Sequence, residues 1–211
     1  MNTTNLFVEL VMIGVGAIIW VIMLLMTVLG YQPFCDLLVY IKQMELGEMS
    51  VLVGAIPVFS VIYVLGIVTD RVANGIFDQL WGKKLKSECF KTQNEEQARV
   101  QLFEKRHIIY TQSEYLSVKL EYGRSRLRVC RGWTLNSVLI LVCTLLFLWT
   151  QLSDDSQMLK LSAIITLFWG GLAGATWWTW RKLIITEYQQ INKQAASLSG
   201  EGGMKSFVVK Q

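Results

Sequence analysis

Few residues of this chain have types and spacing that could do chemistry, and most of those are charges at helical intervals. Asp70, Asn74 and Asp78 are four residues apart, so on one helix they share a face. Arg124, Arg128 and Arg131 share a face in the same way, with Arg126 off that line. Arg71 adjoins Asp70, and Glu9 is the only charge in a long apolar run. Arginine suits carboxylate or phosphate because its planar fork donates two bonds at once. The set Glu9, Asp70, Arg71, Asn74, Asp78, Arg124, Arg128 and Arg131 therefore has two readings. One is a belt of ion pairs that locks helices together. The other is a gate or binding site for an anionic ligand, a lipid headgroup or a nucleotide.

Other chemistries have little support. A lone acid such as Glu9 could relay protons or hold a cation, but such pathways use a series of acidic or basic groups. The single histidine, His107, sits in a polar Lys105-Arg106-His107 run and reads as solvated. Cys35, Cys89, Cys130 and Cys143 have neither metal spacing nor an evident pairing, and read as free thiols. There is no zincin motif, no Ser-His-Asp set and no glycine-rich phosphate loop. A non-enzymatic protein without metal or cofactor is expected.

The elements that must position these charges are membrane helices. The chain has 211 residues, 53% hydrophobic and only 17% charged, against about 25% charged in a soluble domain. Four stretches are nearly free of charge: about 6–29, 49–68, 133–152 and 159–180. Each supplies roughly 20 residues, which at about 1.5 Å per residue crosses about 30 Å of hydrocarbon. The first is expected to remain as a span rather than be cleaved. It lacks a basic start, it is too long for a signal core, and no small-residue cleavage site follows it.

Sidedness follows from the basic residues. The stretch 69–132 holds 13 of the 20 Lys and Arg, and the residues from Arg181 onward hold five more. The loop 30–48 and the turn with Asp154 and Asp155 are acidic or nearly uncharged. Positive-inside logic then places the long loop and both termini in the cytoplasm. Trp133 and Trp149 bracket the third span, and Trp177, Trp178 and Trp180 mark the inner end of the fourth, where amphipathic rings prefer to sit.

Two spans are expected to run on past the membrane. Val72, Ile76, Phe77, Leu80 and Trp81 continue the second at helical spacing, predicting one helix over 49–81 that stops at Gly82 and the lysines behind it. Thr111 and Glu114 have capping-box spacing, predicting a helix from 112 to 152 of about 60 Å. A short helix is expected near 95–106, and a short amphipathic helix after Pro33 on the outer surface. The predicted fold is all-α: a four-helix transmembrane bundle with a cytoplasmic helical stalk from the extensions of spans two and three. The parts are residues 1–68 (two spans), 69–132 (stalk and loop), 133–182 (two spans) and 183–211 (a flexible tail). In span four, Gly170 and Gly174, and Gly171 with Ala175, form small-xxx-small pairs. They predict close helix packing, within one subunit or in a homo-oligomer, and Gly14 and Gly16 offer a partner surface.

The runs Tyr63-Val64-Leu65-Gly66-Ile67-Val68-Thr69-Asp70-Arg71-Val72-Ala73 and Glu121-Tyr122-Gly123-Arg124-Ser125-Arg126-Leu127-Arg128-Val129-Cys130-Arg131-Gly132-Trp133 carry a resemblance, as does the opening Asn5-Leu6-Phe7-Val8-Glu9-Leu10. They resemble a family of four-span bacterial inner-membrane proteins of uncharacterised activity, over residues 1 to about 185. The layout is also similar to small membrane subunits of antiphage systems. The resemblance implies a bacterial inner membrane and a shared core at Glu9, Asp70, Arg71 and the arginines. Two functions are expected from these readings. One is an oligomeric sensor or effector, a gated pore or membrane-perturbing subunit controlled through its basic stalk. The other is an anchor presenting that stalk to a cytoplasmic protein or to anionic lipid. The 13 basic residues of 69–132 are diluted by eight acidic ones, so nucleic acid is not expected as a partner.

Overall fold

The computed structural model describes residues 3–43, 48–90, 94–151 and 156–199. Among them the chain is all-helical, with no strand. Seven α-helices follow in order: α1 (Thr3–Leu29), α2 (Tyr31–Gln43), α3 (Glu48–Phe77), α4 (Lys83–Phe90), α5 (Glu95–Gln112), α6 (Glu114–Gln151) and α7 (Ser156–Leu198). A π-helical turn, Asp78–Gly82, joins α3 to α4. Four helical stretches are long and apolar enough to cross a membrane: Leu6–Leu29, Ala55–Phe90, Glu114–Thr150 and Leu159–Leu198. The last three have 36, 37 and 40 residues. At about 1.5 Å per residue each is nearly twice as long as the hydrocarbon requires.

The chain divides into two compact units. The apolar unit takes residues 2–73 and 129–177; the polar unit takes 74–128 and 178 onward. In the apolar unit α1 lies in close contact with α3 and α6, and glycines permit it. A Cβ on Gly14 would fall 1.9 Å from the carbonyl oxygen of Ile62, and one on Gly66 would fall 2.0 Å from that of Leu10. These are backbone contacts, so only the absence of a side chain lets the two helices approach this closely. Ile13 and Ala17 are fully buried there.

In the polar unit, aromatic and aliphatic side chains of six helical segments form a core. Phe77 packs edge-on against Trp180 at 4.8 Å and against Trp81 at 5.4 Å, and Phe90 packs on Tyr188 at 5.9 Å. Leu102, Ile109, Leu120, Ile184 and Ile191 are buried among the same segments.

Four expectations change. The helix predicted to stop at Gly82 does not. It widens through the π-helical turn, where the Lys83 amide donates to the Asp78 carbonyl, and then continues to Phe90. Burial of Leu85 and Phe90 favours continuation over the weak stop signal of one glycine. The predicted capping box also shifts. Thr111 lies inside α5 and its hydroxyl donates to the carbonyl of His107, while Ser113 breaks the helix and accepts from the Leu116 amide at 3.3 Å. The helix expected near 95–106 runs to Gln112, capped at its start by the Asn94 side chain. Finally, residues 183–198 are not a flexible tail. They continue α7, with Ile184, Tyr188, Ile191 and Ala195 buried in the polar unit. The turn with Asp154 and Asp155, and everything from 200 onward, lie outside the described residues.

Candidate functional site

Charges flank the apolar runs of the apolar unit, and at one end of them two of opposite sign meet. On α3 the uncharged stretch ends in Thr69 and Asp70; on α6 the equivalent stretch begins after Arg131. Arg131 Nη2 donates to Asp70 Oδ1 at 2.7 Å, and the two side chains are only 16% and 12% exposed. Glu9 of α1 is buried in the same unit, whereas Arg71 is exposed. Taking charges out of water is costly, so such a pair persists because each partner compensates the other. Removing one partner strands the other and costs more than removing both.

Further along α6, Asn136 is fully buried. Its Nδ2 donates to the Ile13 carbonyl at 2.8 Å, and its Oδ1 accepts from Trp20 Nε1 at 3.2 Å. Gly16 leaves room for this amide, since a Cβ there would sit 2.6 Å from Nδ2. Thr134 of α6 donates to Thr176 of α7 at 2.9 Å, and Thr176 donates in turn to the Leu172 carbonyl at 2.8 Å. Asp70, Arg131, Thr134, Asn136 and the fully buried Ser137 thus place a set of polar groups inside the apolar unit.

The polar unit holds a buried acid of its own. Glu187 of α7 is 6% exposed. Arg106 Nη2 of α5 donates to its Oε1 at 3.0 Å. Its other oxygen, Oε2, is buried without a hydrogen-bond partner among the described residues and lies next to Gly123 of α6, where a Cβ would be 3.8 Å away. Glu187 is seven residues past Trp180, beyond the apolar stretch of α7 and after Arg181 and Lys182. Burial pushes its carboxyl above the usual carboxylate range, against the pull of Arg106 and, more weakly, Arg124 in the opposite direction. Burial likewise pushes the neighbouring Tyr188 hydroxyl up. Lys105 adds a bond from Nζ to Asn192 Oδ1 at 2.7 Å and lies 5.1 Å over the Phe90 ring.

The eight predicted network residues divide between the two compact units. Glu9, Asp70, Arg71 and Arg131 belong to the apolar unit; Asn74, Asp78, Arg124 and Arg128 belong to the polar unit. Asp70 and Arg131 are brought together. Asp78 pairs with Lys86 of α4, and Gly82 lies close beside it, where a Cβ would come 2.6 Å from Asp78 Oδ1. Arg124 is exposed and acts on Glu187 through its charge. Lys86, Arg106 and Glu187 were not among the residues predicted. A signal for Glu187 was present: Trp180, Ile184, Tyr188, Ile191 and Ala195 recur at helical spacing through the supposed tail.

Three glycines of the small-residue face of α7 meet no neighbour among the described residues. A Cβ on Gly170, Gly171 or Gly174 would meet nothing within 4 Å. Gly14 and Gly16, expected as its partner surface, pack against α3 and α6 instead. Among the described residues no three His, Cys, Asp or Glu side chains are grouped to hold a metal ion. Comparison with protein-family models, with curated proteins and with solved structures finds no match for this chain.

Proposed function

We propose that this chain is a non-enzymatic, multi-pass membrane sensor or effector of the bacterial inner membrane, with both termini cytoplasmic. Its polar unit forms the cytoplasmic stalk and receives the signal, and its apolar unit responds by opening or disturbing the bilayer. One observation carries the reading: the buried Asp70–Arg131 pair among helices long and apolar enough to span a membrane. Ionisable groups at such depth are expensive and belong to ion pathways, gates or locks. α3 and α6, which carry the pair, each contribute residues to both units, so a displacement of either in the stalk has a covalent route to it. Closed, the pair neutralises itself. Opened, it exposes two charges to any water that enters, which is a two-state element a signal can bias.

Conductance of the purified full-length chain in planar bilayers tests this. Asp70→Asn is expected to raise the open probability, since it leaves Arg131 uncompensated. Exchanging the two, Asp70→Arg with Arg131→Asp, is expected to return it towards wild type. Silence of all three chains, with and without nucleotides or anionic lipid, sinks the gate.

A second reading is favoured by a different observation. α5 and α6 expose large apolar side chains in the polar unit, among them Phe103 at 73% and Tyr115 at 76%. This suits an anchor that presents the stalk to a partner. Equal recovery of partners after Arg124, Arg126 and Arg128 are changed to Glu counts against the stalk as the docking surface.

A further inference from the structure

Glu187 joins three helices of the polar unit. It stands on α7, accepts a hydrogen bond from Arg106 of α5 and lies beside Gly123 of α6. An ionised carboxylate can accept about four hydrogen bonds. This one, 6% exposed, accepts one on Oε1 at 3.0 Å and, among the described residues, none on Oε2. A charged oxygen buried without a donor costs more than a neutral one. The arrangement therefore suits a carboxyl that carries its proton on Oε2 and leaves Oε1 to accept from Arg106.

The residue after Gly123 is Arg124. It is exposed, and among the described residues it enters no hydrogen bond or ion pair. Its charge already acts on Glu187. Gly123 leaves the approach to Oε2 open: a Cβ there would stand 3.8 Å from that oxygen, and a larger side chain would fill the space. Arginine is long, and its planar fork fits a carboxylate oxygen well. The other polar groups around Glu187 are engaged elsewhere or carry no donor charge. Lys105 of α5 bonds Asn192. Tyr188 adjoins Glu187 on α7, and beyond it are Cys89 of α4 and Asp78 of the π-helical turn, which pairs with Lys86.

We propose that Glu187 is a proton-operated clasp: protonated on Oε2 it leaves Arg124 in solvent, and ionised it draws the Arg124 guanidinium onto Oε2, so that one carboxylate ties α5 and α6 to α7. On ionisation the Oε2–H bond breaks, the proton passes to bulk water, and Arg124 offsets the charge left behind. The clasp closes as pH rises and opens as pH falls. Burial pushes the carboxyl upward, which moves this exchange towards the neutral range. The clasp rests on the geometry of the polar unit, and on neither the gate nor the orientation. α6 carries both Arg124 and Arg131, so the clasp also supplies the sensor reading with a signal, the proton; that use alone rests on the sensor reading.

Carboxyl-carbon NMR of the full-length chain in nanodiscs tests the clasp. The glutamates are isotope-labelled, and the Glu187 signal is assigned by its loss in Glu187→Gln. Retention of the wild-type elution volume and helicity checks the fold of each variant. Glu187 of the wild type is expected to titrate. Arg124→Gln is expected to raise its midpoint by about one pH unit, or tenfold in proton affinity. Arg126→Gln removes another exposed charge of α6, one that lies over the Tyr122 ring, and is expected to leave the midpoint in place. Gly123→Val fills the approach to Oε2 without removing charge. In that background Arg124→Gln is expected to cause no further rise. A midpoint indifferent to Arg124 overturns the clasp. So does an equal rise with and without Gly123→Val, because the charge then acts only from a distance, and so does a Glu187 carboxyl that stays protonated or stays ionised throughout. Conductance is read separately: loss of the clasp leaves the gate standing, and loss of the gate leaves the clasp.

Discussion

At the scale of residues, two of the buried acids, Asp70 and Glu187, set the chemistry. Asp70 is held by Arg131, and its partners were visible as charges at the edge of apolar runs. Glu187 was not visible in that way, because a glutamate in a polar tail has no exceptional context until the tail is seen to be buried helix. Its raised carboxyl makes a directional prediction. A group whose folded value lies above its unfolded one takes up a proton on folding. The stability it contributes is therefore present below the ordinary value of 4.5 and is lost as pH rises through the raised one. Thermal unfolding of the detergent-solubilised chain is expected to show falling stability over that window. In Glu187→Gln, which cannot ionise, the slope is expected to flatten. Arg106→Ala is expected to cost about 2 kcal/mol above the raised value, where the carboxylate is charged, and much less below it. An unchanged pH slope in Glu187→Gln excludes this residue as its source.

At the scale of elements, glycines separate built contacts from open faces. The sequence shows small residues in α1, α3 and α7 alike, and spacing by itself treats them as equivalent. The tertiary structure does not. Gly14 and Gly66 sit where backbone meets backbone, whereas a Cβ on Gly170, Gly171 or Gly174 meets nothing within 4 Å among the described residues. Gly14→Ala and Gly66→Ala are therefore expected to destabilise the chain by about 1–3 kcal/mol, the usual cost of overpacking, read as a lower melting temperature in fluorescence-detected size exclusion. Gly174→Ala is expected to leave the monomer's melting temperature unchanged, because the added methyl enters open space. Similar losses in both classes exclude the α1–α3 contact as the distinguishing feature. The same scale explains α4. One glycine and three lysines read as a stop, yet Leu85 and Phe90 reach the core, and burial outweighs local propensity.

At the scale of the whole molecule, topology carries the strongest prediction. If the four apolar runs span the bilayer with both termini inside, Gln32→Cys at the start of α2 faces outward and Phe103→Cys on α5 faces inward. A membrane-impermeant maleimide added to spheroplasts is expected to label the first readily and the second only after lysis. Reversal of that order inverts the orientation, and equal labelling of both removes the membrane reading of the polar unit.

What the sequence by itself determined is the all-helical class, the four apolar runs and the uneven distribution of basic charge. These are one-dimensional quantities: hydrocarbon thickness sets the length of a span, and the energy of burying charge clears it of ionisable residues. The sequence also placed the Asp70 and Arg131 positions among the residues of interest. What only the tertiary structure decided is which charges meet, which glycines are in contact, and where the helices end. Those depend on packing between segments far apart in the chain. Asp70 is 61 residues from Arg131, Arg106 is 81 from Glu187, and Trp20 is 116 from Asn136. No local pattern specifies such partners. The fate of residues 183–198 shows the same principle: their periodicity was legible, but only a hydrophobic surface to pack against turned a periodic tail into the last helix of the polar unit.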